Sequence, residues 1–276
     1  MRWSWNMQAA EKLAEREPPP VSWAAWDPAP LVLGGAALAL WRFAHGFFRL
    51  RRRGRRDHAG WDRAACFAAG IALATLPLVS PLDAVADRRL SAHMLQHVLV
   101  SDAAPALLLV ALRGPLLAFV LPVALGRLFA AVDRLPAWTC LAVWAVAIGA
   151  WHVPAAYDAA LAHGALHDLE HASFILAGLL VWTQLVDPAR RRRLSTAQRL
   201  ALAGGLFVLG QLLSDVLFLA GPLYPAYPSA ADQQLAGLVM MVEQTVALGV
   251  FAALALRGLF ALRPSRRRSE RLAATA

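Results

Sequence analysis

Stretches of about 20 apolar residues with almost no charge dominate this chain and decide its fold class. Such a stretch crosses the roughly 30 Å of membrane hydrocarbon as an α-helix, because each residue adds about 1.5 Å. The 276 residues are 59% hydrophobic, which is too apolar for a soluble domain of this size. The sequence therefore predicts an all-α, polytopic membrane protein, folded as a bundle of transmembrane helices.

Seven segments have the length and composition of membrane spans, namely residues 30–48, 64–82, 92–112, 137–155, 166–186, 199–220 and 232–256. The segment 114–136, between the third and fourth spans, is interrupted by Pro122, Gly126 and two arginines. We expect it to form a short re-entrant or interfacial helix and not an eighth span.

The predicted spans divide the chain into three parts. Residues 1–29 form a polar, extracytoplasmic N-terminal segment, residues 30–256 form the seven-helix transmembrane domain, and residues 257–276 form a basic cytoplasmic tail. No apolar signal core precedes Pro18, so a cleaved signal peptide is not expected.

Blocks of arginine set the expected orientation. With seven spans, the blocks at 49–56, 113–134, 190–193 and 257–271 all fall on one side of the membrane. The positive-inside rule makes that side cytoplasmic, with the N-terminus outside and the C-terminus inside. The net charge of +9 is therefore explained by membrane topology in a lipid bilayer. The sequence has no basic patch interleaved with aromatic residues, so binding to nucleic acid is not predicted. Cys66 and Cys140 lie in separate spans and predict neither a disulfide nor a thiolate metal site.

Histidines are concentrated at one end of three predicted spans. Two pairs at i, i+4 spacing open the third and fifth spans, and one histidine closes the fourth span just before a proline. Because successive spans reverse direction, these residues share one level at the outer membrane boundary. Imidazole is costly to bury in lipid without a partner, so the cluster predicts a metal or haem site. The predicted ligands are His93, His97, His152, His167 and His171.

The remaining histidines divide by their predicted side. His163 extends the row on the fifth span by four residues, and its membership of the site is left open. His45 and His58 fall on the cytoplasmic side and are read as non-ligands.

Carboxylates accompany the histidines at two depths. Glu170 and Asp232 lie at the level of the cluster, where a carboxylate can accept the ring N–H that a metal leaves unused. Asp102, Glu243 and Met240 lie deeper in the third and seventh spans. Carboxylates inside a helix bundle mark functional positions by default, so the four acids are candidate supporting residues, and Met240 is added as a possible soft ligand.

The ligand types limit the range of possible metals but do not identify one. A site rich in imidazole and free of thiolate suits copper or zinc, with iron as a further alternative. Facing histidines also suit bis-histidine haem, although paired histidines on each helix exceed the one axial ligand per face that haem needs. The segment HDLEH matches the HxxEH pattern of inverted zinc peptidases, which keeps a metallohydrolase as a minor alternative.

Four segments in order resemble the multi-spanning CtaG family of cytochrome c oxidase assembly proteins: HMLQHVLVSDAAPALLLVALRGP (93–115), WHVPAAYDAAL (151–161), HDLEHASFILAGLLVW (167–182) and DQQLAGLVM (232–240). The resemblance covers about residues 30–256. The family's histidine motifs fall on the five histidines above, and its seventh-span motif falls on Asp232 and Gln233. Where the resemblance implies an aromatic residue, the chain has Met240, Met241 and Glu243.

The resemblance implies a protein of the bacterial inner membrane that assembles a haem–copper oxidase, with an oxidase subunit as partner and copper as the metal. This role is metal handling and not enzyme catalysis. Two alternatives remain at this stage: a haem-binding membrane redox protein, and a metal transporter that uses Asp102 and Glu243 as its path.

Overall fold

The computed structural model describes residues 22–132 and 134–273, which form twelve α-helices and no β-strand. Residues 1–21 of the predicted N-terminal segment and residues 274–276 of the predicted tail lie outside the described residues. The helices are α1 Pro30–Arg52, α2 Trp61–Val79, α3 Pro81–Ala86, α4 Leu90–Val98, α5 Ala104–Ala111, α6 Pro115–Val120, α7 Val123–Val132, α8 Ala137–Trp151, α9 Pro154–Ala162, α10 Gly164–Val186, α11 Thr196–Leu219 and α12 Ala230–Ala273.

Six helical segments within this described part are long and apolar enough to cross a membrane. They are Pro30–Arg52, Arg56–Val79, Leu90–Ala111, Gly164–Val186, Thr196–Leu219 and Ala230–Arg257. The bent pair α8–α9 makes a seventh if it is counted as one span. The predicted all-helical membrane bundle is confirmed, with six to seven candidate spans.

The fourth predicted span, residues 137–155, is not one straight helix. Helix α8 ends at Trp151, and the chain bends by 69° before α9 begins at Pro154. Proline has no N–H to continue the helix, and it pushes the preceding Val153 into an extended conformation with ψ of 126°. The bend leaves His152 at the point where the two helices separate.

The third span is interrupted by a π-helical turn, Leu99–Ala103, between α4 and α5. Pro105 follows this turn and has no N–H to donate to the carbonyl of Ser101, four residues earlier. That carbonyl faces α10, where Gly178 allows the close approach because any Cβ would collide with it. The third and fifth spans therefore pack tightly just below the histidine pairs that each carries.

Two short helices, α6 and α7, occupy the predicted interfacial segment between the third and fourth spans. Both are far shorter than the roughly 20 residues that a span needs. Outside the buried core, large apolar side chains such as Val146, Leu212 and Leu254 are exposed on the surface of the bundle. Such a surface is suited to lipid and not to water.

Candidate metal centre

Helix α4 and the start of α10 bring two pairs of histidines together. Because residues four apart lie on one helix face, each helix projects both of its imidazoles toward the other helix. One ring nitrogen from each histidine can be chosen so that the four atoms lie within 4.8 Å of one another. We call this cluster the four-histidine group: His93, His97, His167 and His171.

The rings of the four-histidine group form a compact quartet. Ring centroids are 4.3 Å apart in the pair on α4 and 4.4 Å apart in the pair on α10. Across the helices, His93 lies 5.3 Å from His167 and His97 lies 5.1 Å from His171, again between ring centroids. The Nε2 atoms of all four are buried without a hydrogen-bond partner among the described residues.

The unpartnered nitrogens fit a metal ion. A buried polar atom without a partner is costly, and imidazole nitrogens that face one another are satisfied together by one cation. Tetrahedral ligation with bonds of about 2.0 Å brings the ligand nitrogens to about 3.3 Å from one another. The observed group spans up to 4.8 Å, so small side-chain rotations close it around an ion.

Tyr227 lies beside Nδ1 of His93 and favours the tautomer that keeps the lone pair on Nε2. The tyrosine hydroxyl donates its one proton to the carbonyl of Ala86 at 2.8 Å, and it lies 3.2 Å from Nδ1 of His93. Burial raises the pKa of Tyr227, so the hydroxyl keeps its proton. Nδ1 of His93 must then be the donor to the tyrosine oxygen, which leaves the lone pair of Nε2 facing the group.

Glu170 lies beside the group and is almost fully closed off, with 1% of the residue exposed. Its Oε1 is 3.9 Å from Nε2 of His97, and both carboxyl oxygens are buried without a hydrogen-bond partner in the described structure. A carboxylate in this position offers a negative charge to a bound cation.

His152 and His163 lie outside the four-histidine group, as far as the described residues show. Nδ1 of His152 lies 2.8 Å from the carbonyl oxygen of Ile148. Because a carbonyl can only accept a hydrogen bond, Nδ1 is the donor, and Nε2 of His152 keeps a free lone pair. Nε2 of His152 is buried and unpartnered within the described chain. His163 is exposed at the start of α10, with Nδ1 3.0 Å from the carbonyl of Ala159.

Asp232 supports the helix that carries the first histidine pair. Its carboxylate accepts hydrogen bonds from the backbone N–H of Leu90 at 2.6 Å and from the hydroxyl of Ser91 at 2.5 Å. A carboxylate at a helix N-terminus satisfies an N–H group that has no partner within the helix. Asp232 thus fixes the start of α4, one turn before His93.

The deeper candidates line a cavity of about 50 Å³ on the inner side of the four-histidine group. Asp102 accepts a hydrogen bond from the indole N–H of Trp182, and the carboxyl group of Glu243 lines the same cavity. The cavity wall includes His97, His152, Asp102, Glu243, Met94 and Met240.

A wider cleft of about 690 Å³ reaches the group from the opposite side. His167 and His171 line it, together with the carboxylates of Asp27, Asp83 and Asp168. Burial raises the pKa of Asp83, while a 2.7 Å hydrogen bond from Gln96 acts in the other direction. Three carboxylates at the mouth of a histidine site attract cations.

Sequence reasoning did not single out Tyr227, Asp83 or Asp27. Tyr227 and Asp83 belong to loops that face the predicted outer side. Because these loops lie at the same membrane boundary as the histidines, their position was the one sequence signal that could have indicated a contact. Their contacts with the group depend on how the loops fold back over the helix ends, which spacing along the chain does not report.

A sequence model of the cytochrome c oxidase caa3 assembly factor family matches residues 41–261. Neither the curated proteins nor the solved structures include a match to this chain. The matched range contains every residue of the four-histidine group, together with His152, Glu170 and Asp232.

Proposed function

Because this chain belongs to the cytochrome c oxidase caa3 assembly factor family, we propose that it binds a copper ion in the four-histidine group and passes it to an oxidase subunit during assembly. The observation that carries the proposal is the set of four imidazoles whose ligand nitrogens lie within 4.8 Å of one another. Copper is the cargo here, and the oxidase subunit is the partner that takes it.

Copper suits the donor set of this site. Imidazole without thiolate is typical of copper and zinc sites, and the thioethers of Met94 and Met240 on the inner cavity add soft donors that favour copper in its reduced state. Glu170 supplies one negative charge next to an ion that the four imidazoles hold. Zinc and iron are the competing metals, and measurement of metal content separates them.

The acidic cleft gives the ion a route to the group. The carboxylates of Asp27, Asp83 and Asp168 raise the local concentration of cations next to His167 and His171. His93 and His97 complete the ligation from the other helix. His152, on the inner cavity beside His97, is the next imidazole available to the ion.

The proposed orientation follows the arginine blocks. The histidine end of the bundle faces the periplasm of a bacterial inner membrane, and the arginine-rich end faces the cytoplasm. An ion delivered from the periplasmic side then enters the cleft without crossing the hydrocarbon, and the N-terminus lies outside.

A handling role agrees better with the site than hydrolysis does. In an HxxEH peptidase the glutamate must reach a water molecule and a scissile bond. Glu170 is instead buried against His97, at 3.9 Å, with 1% of the residue exposed. A site for cargo needs only ligation and release, which the open cleft provides.

The test is complementation of a strain that lacks this gene. His171→Ala is expected to abolish the activity and the copper content of the oxidase, while the variant remains in the membrane at the wild-type level. His45→Ala is the matched control, because His45 is exposed at the opposite end of the bundle. Normal oxidase copper with His171→Ala contradicts the proposal.

A further inference from the structure

Arginines from separate segments converge at the end of the bundle opposite the histidines. Arg63 lies in the first turn of α2, Arg113 follows α5, and Arg190 lies between α10 and α11. The side chain of Arg63 donates a hydrogen bond to the carbonyl of Arg113. The charges that act on Arg113 come from Arg190, Asp187, Arg199 and Arg63, so three cations and one anion surround it.

Among the described residues, Asp187 is the one anion in the set of charges that act on Arg113. Arg113 is partly buried, and its Nε is closed off from solvent without a hydrogen-bond partner within the described residues. Burial and the charge of Arg190 both lower the pKa of Arg113. Arginines this close to one another, one of which has an N–H group without a partner, are stabilised when an anion lies between them.

The nearest acid, Asp187, is already occupied. Its carboxylate accepts the backbone N–H of Arg191 at 2.8 Å and of Arg192 at 2.9 Å, and it pairs with the guanidinium of Arg199 at 3.1 Å. Asp187, Arg190 and Arg192 have φ values of 51°, 56° and 53°, in the left-handed region that non-glycine residues rarely adopt. Such strain persists where the surroundings enforce it, often at binding sites.

The loop between α10 and α11 is also hydrogen-bonded to the residue that follows Arg113. Gly114, with φ of 82°, donates its N–H to the carbonyl of Pro188 at 2.7 Å. Nε of Arg190 and Nδ1 of His58 both lie within 4 Å of the position that a Gly114 Cβ would take. His58 pairs with Asp57 through its other nitrogen at 3.1 Å. One guanidinium nitrogen of Arg190 and one ring nitrogen of His58 thus face the space next to Arg113.

An apolar groove of about 320 Å³ begins one helical turn below these arginines. Phe67 lies one turn after Arg63, Leu112 directly precedes Arg113, and Thr183 lies one turn before Asp187. Leu176, which is 66% exposed, also lines the groove, so the groove opens to the lipid-facing surface.

We propose that this end of the bundle binds an anionic phospholipid, with its phosphate among Arg63, Arg113 and Arg190 and one acyl chain in the adjoining groove. Guanidinium groups bind phosphate oxygens through charge-assisted hydrogen bonds, and basic pockets between membrane helices bind lipid headgroups in this way. A free phosphate ion would use the arginines but leave the groove empty. The proposal does not depend on the metal site.

The test is native mass spectrometry of the protein released from nanodiscs that contain equal amounts of phosphatidylglycerol and phosphatidylcholine. The wild-type protein is expected to retain one phosphatidylglycerol in preference to phosphatidylcholine. Arg113→Gln is expected to lower this retention about tenfold, through the loss of charge-assisted contacts. Arg52→Gln is the matched control, because it removes the same charge from an exposed arginine at the same end.

A second variant tests the groove without touching the charges. Ala39 lines the groove, so Ala39→Phe should fill it and displace the lipid while every arginine remains. Three outcomes overturn the proposal: no preference for phosphatidylglycerol in the wild-type protein, equal retention by Arg113→Gln and Arg52→Gln, or full retention by Ala39→Phe. Full retention by Ala39→Phe, together with displacement of phosphatidylglycerol by inorganic phosphate, would identify a site for phosphate alone in place of a lipid site.

Discussion

Nε2 of His97 lies 3.9 Å from Oε1 of Glu170, and both side chains are buried in the described structure. Neither carboxyl oxygen of Glu170 has a hydrogen-bond partner among the described residues. An uncompensated acid beside four imidazoles is stabilised when a cation binds next to it. We therefore expect Glu170 to contribute to the binding of the proposed metal ion and not to the stability of the bundle without it.

Glu170→Gln removes this charge and keeps the shape of the side chain. We expect the affinity for copper to fall about 10- to 100-fold, because carboxylates that support metal ligands contribute on that scale. Competition titration with a copper chelator measures the affinity. Asp158→Asn, which removes a carboxylate that does not line the cleft, is the control for charge alone, and equal affinities for both variants would contradict this role for Glu170.

Tyr227→Phe tests whether the tautomer of His93 matters. The variant removes the hydroxyl that lies 3.2 Å from Nδ1 of His93, so we expect copper affinity to fall about tenfold. Tyr224→Phe is the matched control, because the hydroxyl of Tyr224 donates to the backbone carbonyl of His152 at 2.9 Å and not to a ring nitrogen. An unchanged affinity in Tyr227→Phe would show that the tautomer is fixed in another way.

The acidic cleft predicts an effect on rate. Asp168→Asn is expected to slow copper association severalfold at low salt and much less at high salt, because the attraction is screened. Stopped-flow measurement of copper uptake tests this. Asp158→Asn, outside the residues that line the cleft, should leave the rate unchanged, and an equal loss in both variants would remove the cleft from the route.

The close approach of α10 to the π-helical turn predicts an effect on stability. Gly178→Val places side-chain atoms against the carbonyl of Ser101, and we expect a loss of about 1–3 kcal/mol or more of stability. Thermal unfolding in detergent measures the change. Gly204→Val is the control, because a Cβ at Gly204 meets nothing within 4 Å in the described structure, and equal melting temperatures would contradict the packing.

The fold and much of the site are predictable from the sequence for separate reasons. Long apolar runs report spans directly, and i, i+4 spacing with alternating span direction is enough to bring His93, His97, His167 and His171 to one place. The bend at Pro154 and the π-helical turn depend on local backbone hydrogen bonds, which apolar periodicity does not report. Asp232 lies at the level of the histidines, yet its carboxylate contacts Leu90 and Ser91. The position of a residue along a span gives its depth but not the neighbour that its side chain faces.

The metal content of the purified protein tests the central claim most directly. We predict one copper ion per chain in protein purified from copper-replete cells, with nitrogen ligation in its X-ray absorption spectrum and no haem absorption band. His97→Ala combined with His171→Ala should remove the copper, while His45→Ala combined with His58→Ala should retain it. Wild-type protein without copper, or equal copper in the two double variants, would contradict the account.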